Sequence, residues 1–218
     1  SECFDAILFQ CDLEENGIKR MKLLDDGLEF EKNRLTKGKY FDKENIGHFY
    51  GVFETRPYIR GLATKAEYLL EEGKLRQAAN VCKEVLKLNK NDNLGARYLL
   101  MAIYATLEEE KDMLDLYKKY PEEDLEMLFP LFAIYYKIGN DKKAKDYLNR
   151  IDKCNSNFVK YFKGTIKPSE KINPGYYSRG DSSEIFMYLE RYDYLLITMP
   201  RLHEYVIENL MKSKKSKK

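Results

Sequence analysis

The apolar positions of this 218-residue chain recur at helical spacing almost throughout. From Ile59 to Lys90 they return every three or four residues, which is the period of a helix and not of a strand. The stretch predicts two short amphipathic helices joined by a turn at Glu72-Gly73-Lys74. The first puts Leu62, Ala66 and Leu69 on one face, with Leu70 alongside; the second turns Ala78, Val81, Cys82, Val85 and Leu86 toward it. Two such helices cannot bury their apolar faces alone, so the pattern implies neighbours of the same kind.

Those neighbours are predicted on both sides. A helix over residues 2–14 carries Phe4, Ile7, Leu8 and Cys11 on its buried stripe, and Asn16-Gly17 forms a turn. A longer helix over 18–35 carries Met21, Leu24, Leu28 and Phe30. Lys37-Gly38-Lys39 ends it, the glycine taking the left-handed conformation common after a helix. Residues 40–58 break the pattern with aromatics, two glycines and the corner Glu54-Thr55-Arg56-Pro57. They are expected to pack across the first helix pair as a structured connector, with Thr55 or Arg56 capping the next helix.

Beyond the central pair, Asn91-Asp92-Asn93 caps a third pair, with helices over 92–107 and 111–120. Pro121 restarts the chain, and a fourth pair covers 122–138 and 141–152. Pro130 is expected to bend its first helix or delay its start. A short helix at 158–162 precedes a loop marked by Gly164, Pro168, Pro174 and Gly175. Asp181, with Glu184 three residues on, reads as a capping box. The helix it opens runs to about Arg191, and a last one, over 194–211, is interrupted near Pro200.

Subtraction tests the repeat. Leu62 and Leu128, Ala66 and Phe132, Gly73 and Gly139, and Ala78 and Ala144 are each 66 positions apart. Two units of about 33 residues fit that interval. The middle unit matches poorly at Thr106 and Asp112. The expectation is an all-α protein, a right-handed α-solenoid of about five antiparallel helix pairs. It forms a single domain over 1–211: a first pair (1–37), the connector (40–58), three repeat units (59–152), a short helix and loop (153–180) and a terminal pair (181–211).

Composition narrows the class. The chain is 44% hydrophobic and 34% charged, as in soluble globular proteins. It has no apolar run of about 18 residues that would span a membrane. No secretory signal is read at its start, where the residues already resemble the body of a helix. Cys3, Cys11, Cys82 and Cys154 form no CxxC pair and have no histidine at ligand spacing, so no metal site and no cofactor is expected, and a reducing cytoplasm fits. The net charge of +2 is a property of the tail: residues 212–218 hold five lysines, and the rest of the chain is at about −3. A body of that sign has no general attraction for nucleic acid, and the lysine tail reads as disordered.

Leu62, Ala66, Gly73 and Ala78 fall on the signature positions of the tetratricopeptide repeat, which the central unit resembles. Cys82 stands where that family usually has an aromatic, and Lys90 where it usually has proline. The stretches GHFYGVFETRPYIR (47–60), LNKNDNLGARYLL (88–100) and YYSRGDSSEI (176–185) resemble a bacterial set of tetratricopeptide-like proteins. That set is similar to the C-terminal half of the suppression-of-tumorigenicity protein family. Some members carry a Cys-rich zinc-chelating motif like that at the end of the SecA translocase; this sequence lacks it, so no zinc site carries over. The resemblance implies the fold and no catalytic activity.

Candidate chemistry is sparse. His48, Glu54 and Arg56 form the one candidate polar site, a histidine and a carboxylate able to move a proton if they meet in a pocket. The competing structural reading pairs Arg56 with Glu54 across the turn and gives His48 a buried carbonyl. Phosphate loops, nucleophile elbows and zinc-protease motifs are absent from the sequence. Asp25-Asp26, Glu108-Glu109-Glu110 and the tripeptide Arg179-Gly180-Asp181 read as helix-end features, and His203 as a surface residue.

The family pattern points its second, fifth, ninth and twelfth positions into a concave groove. Units starting at Ile59, Asn93 and Leu125 give Arg60, Ala63, Glu67 and Leu70; Leu94, Arg97, Met101 and Tyr104; and Glu126, Phe129, Ala133 and Tyr136. The partner-binding set expected from these is Arg60, Glu67, Arg97, Met101, Tyr104, Phe129 and Tyr136, residue types that carry interface energy. The alternative puts Met101 and Phe129 in the core and leaves Arg60, Arg97, Tyr104 and Tyr136 accessible. The function expected is a non-enzymatic scaffold that binds a partner peptide or helix. Self-association through an exposed end face is a further expectation. The alternatives are a regulatory or nucleic-acid-associated protein acting through its tail, or an enzyme centred on His48, Glu54 and Arg56.

Overall fold

The computed structural model describes residues 4–167 and 177–215, with side chains to residue 210. Pro168, Pro174, Gly175, Cys3 and the last three tail residues lie outside this set. Among the described residues every regular element is a helix. They are α1 (Phe4–Leu13), α2 (Gly17–Lys37), α3 (Arg56–Glu71), α4 (Leu75–Leu88), α5 (Ala96–Leu107), α6 (Glu110–Lys119), α7 (Leu125–Lys137), α8 (Asp141–Cys154), α9 (Asn157–Phe162), α10 (Ser182–Arg191), α11 (Asp193–Ile197) and α12 (Leu202–Lys215). The fold is all-α, and none of these helices is long and apolar enough to cross a membrane. The chain divides into two compact units, 1–100 and 101–218. The division falls inside α5.

In the first unit, Leu62, Ala66 and Leu69 of α3 are buried, as are Ala78, Cys82, Val85 and Leu86 of α4. α1 docks through Phe4, whose ring lies against two glycines. A Cβ on Gly61 would meet that ring at 2.6 Å, and one on Gly27 would meet it at 3.0 Å. Glycine inside a helix costs about 1 kcal/mol relative to alanine, and here it admits an aromatic ring between α2 and α3. Phe30, expected on the buried stripe of α2, is instead 54% exposed, because the core-facing positions of that helix are Leu24, Gly27, Leu28, Glu31 and Leu35.

The connector is ordered by long-range backbone bonds. Gly47 and Phe49 both donate to the Leu88 carbonyl at 3.0 Å, and Lys90 donates back to Gly47 at 2.9 Å. Phe49 is fully buried and meets Phe41, which stands edge-on to Tyr58. The connector is thus pinned to the end of α4 and the start of α3; the sequence pattern placed it across the first pair, 1–37.

In the second unit α7 is the central helix, with Leu125 through Tyr135 all buried. Asp124 caps it by accepting the Met127 N–H. Pro130 sits inside it and does not delay its start. α8 packs on α7, and α9 packs against α8, α10 and α12. The final helix is interrupted near Pro200, as expected, which divides it into α11 and α12. α12 continues to Lys215, so residues 212–215 of the expected disordered tail are helical.

Helix ends repeat one another. After α3, Gly73 (φ +70°) donates to Leu70, and Lys74 to Leu69. After α7, Gly139 (φ +75°) donates to Tyr136, and Asn140 to Tyr135. These are left-handed C-terminal caps of the kind glycine favours. After α2 the left-handed residue is Lys39 (φ +61°) and not Gly38 (φ −75°), which corrects the expected glycine cap by one position. After α5 it is Glu108 (φ +60°), whose neighbour Glu109 donates to Tyr104 in the same way.

Candidate interaction surface

Thr55 precedes α3, but its hydroxyl is committed elsewhere: it donates to the Phe49 carbonyl at 2.6 Å. Pro57 occupies the first turn of α3, where its missing N–H costs nothing. From there the helical period separates two faces. Ile59, Leu62, Ala66 and Leu69 turn inward. Arg60, Ala63, Glu67 and Leu70 form a stripe that stays half-buried or exposed. Arg60 pairs with Asp5 of α1 and keeps 42% of its side chain in solvent.

Arg97 lies at the start of α5 and is fixed by Asp92. The Asp92 carboxylate is fully buried and accepts the Ala96 N–H at 2.8 Å, the Arg97 N–H at 2.9 Å and the Arg97 guanidinium at 2.8 Å. Burial raises the Asp92 pKa; the bonds from Arg97 and Ala96 offset that only in part. Asp92 reaches this geometry with a left-handed backbone, φ +48°. The guanidinium also bonds the Tyr98 hydroxyl at 2.5 Å. Burial pushes the Cys82 thiol up to about 12, with Asp92 and then Glu67 adding to the effect.

The remaining expected contacts fall in the second unit, and most are not at its surface. Met101 and Phe129 are fully buried and Tyr104 is 4% exposed. Phe129 packs on Phe132, Phe158 and Tyr188 at ring distances of 5.6–5.9 Å. These three leave the partner-binding set, because α5 and α7 bury nearly their whole circumference and their groove-facing offsets are core positions. Ala133 and Glu126 are buried as well, the latter accepting the Tyr177 hydroxyl at 3.2 Å. Tyr136 stays half-buried against Tyr205, 5.0 Å away.

The polar site does not assemble. His48 and Glu54 are exposed. Arg56 donates to the Tyr50 carbonyl at 2.9 Å and lies over the Tyr50 ring, while the Glu54 carbonyl takes Arg34. Neither proton transfer nor the expected Glu54–Arg56 pair is set up. The acidic runs pair with lysines: Asp25 with Lys65 at 2.7 Å, Glu108 with Lys137 at 3.3 Å and Glu110 with Lys143 at 3.4 Å. Among the described residues no group of His, Cys, Asp and Glu is arranged to hold a metal ion.

The Arg-Gly-Asp stretch is structural. Arg179 reaches Asp124 at 3.4 Å, and Asp181 caps α10 through the Ser183 N–H. Glu184 accepts the Gly180 N–H and the Asn155 amide, both at 2.8 Å. The expected capping box is therefore present, shifted one residue outward from the cap. Sequence reasoning missed Asn155, for which the only signal was its position just after a helix. No family model, curated protein or solved structure matches the chain.

Proposed function

We propose that the chain is a non-enzymatic interaction scaffold, a tetratricopeptide-like right-handed solenoid of about five antiparallel helix pairs that takes a peptide or helix from a partner protein. The matching caps at Gly73 and Gly139, 66 positions apart, support the repeat. The observation that carries the function is the stripe on α3. Arg60, Ala63, Glu67 and Leu70 stay accessible between buried Ile59, Leu62, Ala66 and Leu69. The stripe offers a cation, a small side chain, an anion and an aliphatic surface in turn, which suits recognition and makes or breaks no bond. Arg97 keeps 12% of its side chain in solvent and its guanidinium is taken by Asp92, so the surface proposed rests on α3. The buried free thiols Cys11 and Cys82 fit a reducing, cytoplasmic setting.

A photo-reactive amino acid placed at Glu67 tests the proposal, with the same group at Glu84, exposed on α4, as the control. In cells, position 67 is expected to trap a partner that position 84 does not. Arg60→Glu with Leu70→Asp is expected to abolish that adduct. Identical adducts from both positions, or none at 67, would remove the α3 stripe as the binding surface.

A further inference from the structure

α1 is apolar on two opposite sides. Phe4, Ile7 and Cys11 face inward and are buried. Ala6, Phe9 and Leu13, at positions i, i+3 and i+7, share the outward side and are exposed, Phe9 by 62% and Leu13 by 66%. Just past the Asn16 turn, Ile18 is 83% exposed. Phe and Leu exposed together at helical spacing form an apolar patch of the kind that serves as an interaction site.

Within α1 and the turn that follows it the charges have one sign, and the basic residues begin at Lys19. From Phe4 to Ile18 the sequence holds Asp5, Asp12, Glu14 and Glu15 and no Lys, Arg or His. Asp5 and Asp12 are engaged on the α3 side, by Arg60 and by the Tyr68 hydroxyl. Glu14 and Glu15 stand at the C-terminal end of α1, where the helix dipole is also negative and the last turn has no basic residue. We propose that the outer face of α1 docks a basic amphipathic helix of a partner protein, its apolar stripe on Phe9 and Leu13 and its Lys or Arg side chains toward Glu14 and Glu15. A second copy of α1 offers no basic residue to these carboxylates, which disfavours it as the occupant.

The probe is a labelled synthetic helix with Leu at every third and fourth position and Lys elsewhere. It is titrated into the full chain by fluorescence anisotropy, against an isomer with Glu for Lys and a scramble of the same composition. The lysine helix is expected to bind best. Phe9→Gln with Leu13→Gln, both surface changes to a good helix former, is expected to weaken binding at least about tenfold, as loss of two interface anchors does. Glu14→Lys with Glu15→Lys is expected to weaken it and flatten its salt dependence. Glu67→Lys is expected to leave it unchanged, which separates this face from the α3 stripe. Equal binding of the scramble or the glutamate isomer would overturn the proposal, as would insensitivity to the Phe9/Leu13 change or loss on Glu67→Lys. A dimer in sedimentation that the Phe9/Leu13 change dissociates would assign the face to a second copy and overturn it as well.

Discussion

Gly61 shows what a single residue carries here. Its place in α3 is unfavourable by helix propensity, yet Phe4 fills the space a side chain would take. Gly61→Ala gains about 1 kcal/mol of propensity and forces the Phe4 ring and Leu28 to move. Overpacking of this kind costs about 1–3 kcal/mol, so the variant is expected to be net destabilised, with a lower urea midpoint. Pairing it with Phe4→Leu is expected to recover most of the loss. Glu108 and Lys39 make the complementary point: each takes the left-handed conformation that glycine takes after α3 and α7. The spacing of 33 from Gly73 falls on Thr106, whereas the left-handed residue after α5 is Glu108, two positions later, which accounts for the poor match there.

At the level of elements, a polar and aromatic ladder holds α8 to α7, to α6 and to the segment between them. Lys143, Tyr147 and Arg150 lie at i, i+4 and i+7 on α8. Tyr147 stacks on Tyr135 at 5.6 Å, Arg150 lies over Tyr147, and Lys143 bonds the Tyr135 hydroxyl. Arg150 also pairs with Glu123 and donates to the Tyr117 hydroxyl at 2.6 Å. Hydrogen bonding from Arg150 holds the Glu123 carboxyl below its ordinary value, with a smaller contribution from Tyr117. A lowered folded pKa gives stability that is present above the unfolded value and lost as pH falls through the folded one. Glu123→Gln is therefore expected to make the loss of stability below about pH 4.5 shallower. The effect is within about 1 kcal/mol because the pair is largely solvated. Urea midpoints measured from pH 6 to pH 3 check it.

Across the whole molecule, stability is expected to be uneven. α7 buries eleven consecutive residues, whereas α1 buries three of its ten. Hydrogen exchange followed by mass spectrometry is expected to show the slowest amides in α7 and fast ones in α1; the reverse order would contradict the burial pattern. The same difference decided what the sequence revealed. Helix positions were legible because amphipathic spacing is a local property, and the α3 stripe was legible because α3 has two distinct faces. Tyr104 was misplaced, and Met101 and Phe129 could be read as groove or as core, because α5 and α7 are apolar around their circumference and spacing cannot tell which side meets solvent. Asn155 and the pinning of the connector escaped because they depend on partners far along the chain.

That pinning also has a meaning in time. The connector's order rests on the Leu88 carbonyl, which belongs to the last turn of α4. Gly47 and Phe49 are synthesised about forty residues before Leu88, so their segment is made before its anchor. α3 and α4 can close on each other through neighbouring contacts, but the connector settles only after that hairpin is complete.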